Sequence, residues 1–243
     1  SCINKVKAIF FPTWHETNNT VGYGMLDCQE GLGIQALLLK MNLRLIERLS
    51  HMKNIYILDS KRWFLDVKNP YSSKMWYMAK VPFCNAVFQR AANDINSALS
   101  ALSGEAKKVV ICDLDDTLWG GVVGEIGWKN LSLGGHDRIG EVYSEFQIIQ
   151  KSLTSRGILL AVVSKNTEEI AIEAIEKHPE MSLRLNDFIT YRINWHDKAK
   201  NIVDIMKELN LDLSSAVFLD DNPIERERVR DALPEVFVPE LPQ

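Results

Sequence analysis

Three short apolar runs constrain this sequence more than any other feature. Val109-Val110-Ile111-Cys112, residues 159–163 and Ala216-Val217-Phe218-Leu219 each stop abruptly at polar residues. A strand with one wet face alternates apolar and polar side chains. Runs that are apolar throughout belong to strands of a parallel sheet covered on both faces. The stretches between them have helical periodicity: Ile139, Val142, Tyr143, Phe146, Ile149 and Leu153 stripe one helix, and Ala199, Ile202, Val203, Met206 and Leu209 another. Asn166 and Glu169 are spaced as a capping box for a helix over 167–177. Asn194 is placed to cap a helix starting near Trp195, and Pro223 opens a helix as a first-turn proline does. Residues 188–190 and 236–238 read as further short strands. Strands alternating with helices predict an α/β domain.

Residues 1–104 follow a different pattern. Gly22, Gly24, Gly31 and Gly33 among polar residues predict a loop over 9–30. A helix over 34–52, a strand at Ile55-Tyr56-Ile57-Leu58, an irregular aromatic-rich stretch over 63–83 and a helix over 85–102 come next. The Ser103-Gly104-Glu105 turn sets the boundary between a smaller N-terminal α/β segment, 1–104, and a second domain, 105–243. At roughly 150 residues per domain, a chain of 243 residues accommodates both. No internal repeat stands out.

Charge narrows the partners. Lys and Arg number 28 against 32 Asp and Glu, a net charge of −4, so no broad basic field is present for nucleic acid or an anionic membrane. No stretch of eighteen apolar residues occurs. The four cysteines, Cys2, Cys28, Cys84 and Cys112, form no C-x-x-C pair, and the expectation is reduced thiols in a cytoplasmic enzyme.

The chemistry is expected where the apolar runs end, because in open α/β sheets the ligand crevice lies at the carboxyl ends of the strands. The first run leads into Asp113, Asp115 and Asp116, and the third into Asp220 and Asp221. Aspartate at a strand end is commonly a turn former or a cap. Two acidic clusters on two buried strands are a different matter, since carboxylates that converge cannot all ionise without a cation between them. Oxygen-only ligands point to Mg²⁺. Ser164 ends the second run. Lys198 stands in the first turn of its helix, where a cation opposes the macrodipole unless an anion is held there.

Asp113-Leu114-Asp115-Asp116-Thr117, then Ser164, Lys198 and Asp220-Asp221, resemble in order the four motifs of the haloacid dehalogenase (HAD) superfamily. Leu118-Trp119-Gly120-Gly121-Val122-Val123-Gly124-Glu125 and Phe218-Leu219-Asp220-Asp221-Asn222-Pro223-Ile224-Glu225-Arg226 resemble its FkbH-like group, subfamily IIIC, in which the position of Asp116 is commonly Asn. Residues 30–103, with Asn42, Asp59 and Trp76-Tyr77-Met78-Ala79-Lys80, resemble the end of an SGNH-hydrolase-like segment, although no Gly-Asp-Ser nucleophile motif is present. The resemblance implies a HAD-like Rossmannoid parallel sheet with helices on both faces. The intervals of about 50 residues from Asp113 to Ser164 and about 35 from Ser164 to Lys198 leave no room for a large cap.

The roles implied are Asp113 as nucleophile forming an aspartyl-phosphate and Asp115 as general acid and base. Mg²⁺ would be held by Asp113, the Asp115 carbonyl and Asp220, with Asp221 the next candidate. Ser164, Lys198, Thr117 and Asn166 would bind the phosphate. The family implies a phosphatase/glyceryl transferase that moves a glyceryl unit from 1,3-bisphosphoglycerate to an acyl carrier protein. The alternatives are a plain phosphatase on a small metabolite or phosphoprotein, and a non-catalytic module that binds phosphorylated ligands. Arg226, Arg228 and Arg230 are the candidate surface for an acidic carrier. Cys112, beside the nucleophile, should point away from it by strand alternation, and His136 with Asp137 reads as a surface pair.

Overall fold

The computed structural model describes residues 6–18 and 21–241. The chain divides into two compact units, Ser1–Gly104 and Glu105–Gln243. In the first, β1 (Ile9–Pro12) lies parallel to β2 (Ile55–Leu58), Ile9 facing Ile55 and Pro12 facing Leu58. The connection between them carries α1 (Ile34–Leu49). Gly33 is required at the start of α1, since a Cβ there would lie 1.9 Å from the Asp27 carbonyl oxygen. The Ser72 hydroxyl caps α2 (Ser73–Ala79), and α3 (Asn85–Leu102) follows.

Several expectations for this unit need correction. β1 falls inside the predicted 9–30 loop, because four residues ending in proline whose partner lies far along the chain carry no local periodicity. The irregular stretch over 63–83 contains α2. The helix predicted over 34–52 stops at Leu49. Among the described residues, no helix is long and apolar enough to cross a membrane.

The second unit has a four-stranded parallel sheet of β3 (Val109–Cys112), β4 (Leu159–Ser164), β5 (Thr190–Ile193) and β6 (Ala216–Leu219), in the order β5-β4-β3-β6. Its helices are α4 (Val123–Ile126), α5 (Arg138–Thr154), α6 (Glu168–Lys177), α7 (Lys198–Glu208) and α8 (Pro223–Ala232). The alternation of β3 divides the core. Val109 and Ile111 pack with Ile202, Ile205 and Met206 of α7 and Val229 of α8. Val110 and Cys112 pack with Ala171, Ala174 and Ile175 of α6. Both faces are therefore covered, as the apolar runs require.

From β3 the chain goes to β4 on one side and later returns to β6 on the other. The carboxyl ends of β3, β4 and β6 thus frame the point where strand order reverses, the place for a ligand in such sheets. Between β3 and α5 the described residues form a flap, not a cap domain. It contains α4 and a 3₁₀ turn, Trp128–Asn130, and is pinned by paired backbone bonds between Gly120 and Ser132.

Four local expectations differ from the structure here. The strand predicted at 188–190 lies at Thr190–Ile193, and 236–238 contributes only a single bridge, Val217 to Phe237. The 166/169 capping box does not form, because the Asn166 amide is bonded elsewhere. Asp197, not Asn194, caps α7, accepting from the Ala199 N–H at 2.8 Å, while Asn194 accepts from the His196 N–H.

Candidate active site

Asp113 is the first residue past β3 and is 7% exposed. Its Oδ2 accepts from Lys198 Nζ at 2.8 Å, whereas Oδ1 is buried with no partner among the described residues. Asp220, the first residue past β6, is fully buried. Its Oδ2 accepts from the same Nζ at 2.6 Å and its Oδ1 from the Asn222 N–H at 2.9 Å. The exposed Asp221 completes a group whose carboxylate oxygens lie within 4.8 Å of one another. Lys198 is the first residue of α7, and its ammonium joins the starts of the first and fourth motifs, Asp113 and Asp220.

One buried ammonium between two buried carboxylates leaves the site short of positive charge. Burial, reinforced by the charge of Asp113, pushes the Asp220 carboxyl up to about 6. Asp221 is raised by burial and by Asp113 as well. Burial works against the charged form of Lys198, but Asp113 and Asp220 outweigh it and its pKa is raised. A hard divalent cation fits these observations. The donors are all oxygen, the charge deficit needs relief, and Asp113 Oδ1 lacks any partner among the described residues.

Asp115 belongs to the flap side of the site. Its Oδ1 accepts from the Trp119 indole Nε1–H at 2.8 Å and the Val123 N–H at 3.1 Å, and its Oδ2 from Asn166 Nδ2 at 2.8 Å. Burial raises its pKa despite the opposing hydrogen bonds from Val123 and Trp119. Asp116 sits in the left-handed region at φ 53°, with Oδ1 accepting from the Gly121 N–H. Asn and Asp are the side chains that tolerate this conformation best.

Ser164 is buried at the end of β4, beside β3, as expected. Two other residues assigned to the phosphate are bonded to neighbouring site residues in this structure. The Thr117 hydroxyl accepts from the Asp221 N–H at 3.1 Å, and Asn166 serves Asp115. Of the candidate carrier-docking arginines, burial removes Arg226, while Arg228 stays exposed and Arg230 partly exposed, each in an ion pair. Arg226 is buried, donating to the carbonyls of Asp220 and Asp221 at 2.8 and 2.6 Å, Arg228 pairs with Asp197, and Arg230 pairs with Glu240. Arg226 therefore shapes the acidic loop.

Cys112 points away from the site toward Gln150, its thiol pushed far up by burial. Asp137 caps α5 and forms no pair with His136 there. Sequence reasoning did not find Gln147. Fully buried on α5, it donates to the Leu118 carbonyl at 2.7 Å and accepts from the N–H groups of Ser182 and Leu183. The buried face of α5 carries Gly140, Gln147 and Gln150, whereas Ile139, Val142 and Ile149 of the predicted apolar stripe are exposed, so the stripe gave no signal for Gln147.

A parallel sheet covered on both faces, with acidic residues beyond its two adjacent strands β3 and β6 and a lysine at a helix start, defines a HAD-like Rossmannoid fold. The chain is similar to the N-terminal part of a Bacteroides fragilis protein that contains a phosphatase domain and was crystallised as a complex with Mg. Identity is 34% and the TM-score 0.89, over 99% of this chain and 64% of that one, so this chain spans less than two thirds of that relative. A HAD family enzyme from Bacteroides thetaiotaomicron, complexed with magnesium and inorganic phosphate, aligns over 56% of this chain and 95% of its own at 9% identity and TM-score 0.40. The cobalt-bound deoxy-D-mannose-octulosonate 8-phosphate phosphatase from Haemophilus influenzae aligns over 55% and 69% at 20% identity and TM-score 0.37. No family model matches the chain, and no curated protein does.

Proposed function

We propose that residues 105–243 form an Mg²⁺-dependent phosphoryl-group enzyme that works through an aspartyl-phosphate on Asp113. The observation that carries this reading is the Asp113 carboxylate, anchored at one oxygen by Lys198, bare at the other, and grouped with Asp220 and Asp221. Those three residues would hold Mg²⁺, with the Asp115 carbonyl as the further ligand implied by the resemblance. When bound, the ion offsets repulsion between the nucleophile and the phosphoryl oxygens.

The chain's own groups do the rest. Asp113 bonds to phosphorus as the bond to the leaving oxygen breaks, and Asp115 gives that oxygen its proton. Water then attacks phosphorus, yields a proton to Asp115 and frees Asp113. Lys198 and Ser164 donate to the phosphoryl oxygens as charge builds there. Phosphate release from acetyl phosphate tests the reading: it should need Mg²⁺ and stop with a chelator. Release that persists in a folded Asp113→Asn protein would refute it.

The finer reading is that the phosphate ester is 1,3-bisphosphoglycerate and that the glyceryl unit passes to the phosphopantetheine thiol of an acyl carrier protein. The FkbH-like motifs around Trp119 and Glu225 support it. So does the flap-only cover among the described residues of 105–243, which suits a substrate walled in by a partner. Weighing several carrier proteins by mass spectrometry after incubation with Mg²⁺ and 1,3-bisphosphoglycerate decides it. A glyceryl adduct that requires Asp113 supports transfer, and phosphate release with every carrier unmodified leaves hydrolysis.

A further inference from the structure

We infer that Trp119 and Asn166 are positioning residues that make Asp115 Oδ2 the proton-carrying oxygen of the site. The inference rests on the phosphoryl-transfer reading above. Asp115 has two inequivalent oxygens. Oδ1 accepts two N–H donors, Trp119 Nε1 at 2.8 Å and the Val123 backbone at 3.1 Å, both from the flap. An oxygen receiving two donors has no lone pair left in that plane for a proton, so it is the carbonyl-like end of the acid. Among the described residues Oδ2 accepts from one donor, Asn166 Nδ2 at 2.8 Å, and keeps a position for a hydrogen.

The orientation of that donor is fixed as well. Asn166 Oδ1 accepts from the Thr167 N–H at 3.0 Å, so the amide can turn only its NH₂ toward Asp115. Trp119 is fully buried and Asn166 nearly so, which prevents either donor from swinging away. The flap and the end of β4 thus grip one carboxyl from two sides and leave Oδ2 as its working atom. In the first step the Oδ2 proton moves to the bridging oxygen while the bond from phosphorus to that oxygen breaks and the bond from phosphorus to Asp113 forms. In the second, Oδ2 takes a proton from the attacking water as the bond between Asp113 and phosphorus breaks.

Leaving-group dependence tests this, because kcat/KM reports only the steps up to departure of the first product. An alkoxide leaving group needs a proton, and the acetate of acetyl phosphate does not. General-acid help is worth roughly 10²–10⁴-fold. For Trp119→Phe and Asn166→Ala, kcat/KM for propyl phosphate is expected to fall at least about tenfold more than kcat/KM for acetyl phosphate. Asp115→Asn sets the upper limit of the split.

Equal losses on both substrates, or no loss on either, in whichever of the two variants folds would overturn the inference. A split in Asp115→Asn alone would also overturn it while leaving the phosphoryl-transfer reading intact. Failure of the unsubstituted protein to hydrolyse even acetyl phosphate with Mg²⁺ would bring down that reading and the inference together.

Discussion

Replacing Asp220 by Asn should make the metal-free protein more stable while removing its response to metal. Asp220 is fully buried, and its carboxyl is pushed up from 3.8 to about 6. At about 1.4 kcal/mol per unit, the ionised group costs the folded state about 3 kcal/mol at pH 8. The sign follows from linkage. A raised carboxyl binds its proton more tightly folded than unfolded, so stability falls as pH rises from about 4 to about 6 and stays reduced above that. Asparagine carries no charge, and its amide oxygen can still accept from the Asn222 N–H. Lys198 retains Asp113 as a partner.

In chelator at pH 8, Asp220→Asn should therefore melt about 10 °C higher than the unsubstituted protein, at about 4 °C per kcal/mol for a domain of this size. The two should converge at pH 4. Adding Mg²⁺ at pH 8 should raise the melting temperature of the unsubstituted protein and leave that of the variant nearly unchanged. Thermal unfolding followed by circular dichroism provides all three comparisons. A variant that is no more stable at pH 8 than at pH 4, relative to the unsubstituted protein, would show that the buried carboxylates are not short of positive charge.

Two further substitutions probe the frame of the site. Lys198→Met leaves Asp113 and Asp220 buried without a cation, and should destabilise the metal-free protein at pH 8 by about 3–5 kcal/mol in denaturant titrations, with Mg²⁺ restoring part of the loss. Gln147→Leu strands the Leu118 carbonyl and the N–H groups of Ser182 and Leu183. The same titrations should show a loss of about 3 kcal/mol, unaffected by Mg²⁺.

The parts of this molecule that were legible in the sequence are those fixed by local pattern. A strand buried on both faces has to be apolar throughout, so β3, β4 and β6 stood out, and the residues that interrupted them were the ones with chemistry. Lys198 was visible because a cation in the first turn of a helix needs an anionic partner. Partners distant in sequence were not visible. Asn166 has the spacing of a helix cap, yet its amide serves Asp115, in the loop that follows β3. Arg226 has the look of an exposed basic residue on α8, yet it is folded back onto the carbonyls of the acidic loop. Trp119 packs in the core, and its indole N–H, which no sequence pattern marks, also donates to the proposed acid. In β1, four residues paired with a strand far along the chain left no periodicity to detect.

The central claim is that Asp113 becomes phosphorylated during turnover. Acid quenching of the Mg²⁺-loaded Asp115→Asn protein with acetyl phosphate, followed by digestion and mass spectrometry, tests it most directly. That variant still allows phosphoryl transfer from a leaving group needing no proton, but it slows the attack of water. The account predicts a phosphoryl group on the peptide containing Asp113, absent without Mg²⁺ and absent when Asp113 is also replaced by Asn. Continued phosphate release with that peptide unmodified, or a phosphoryl group on another residue, would contradict it.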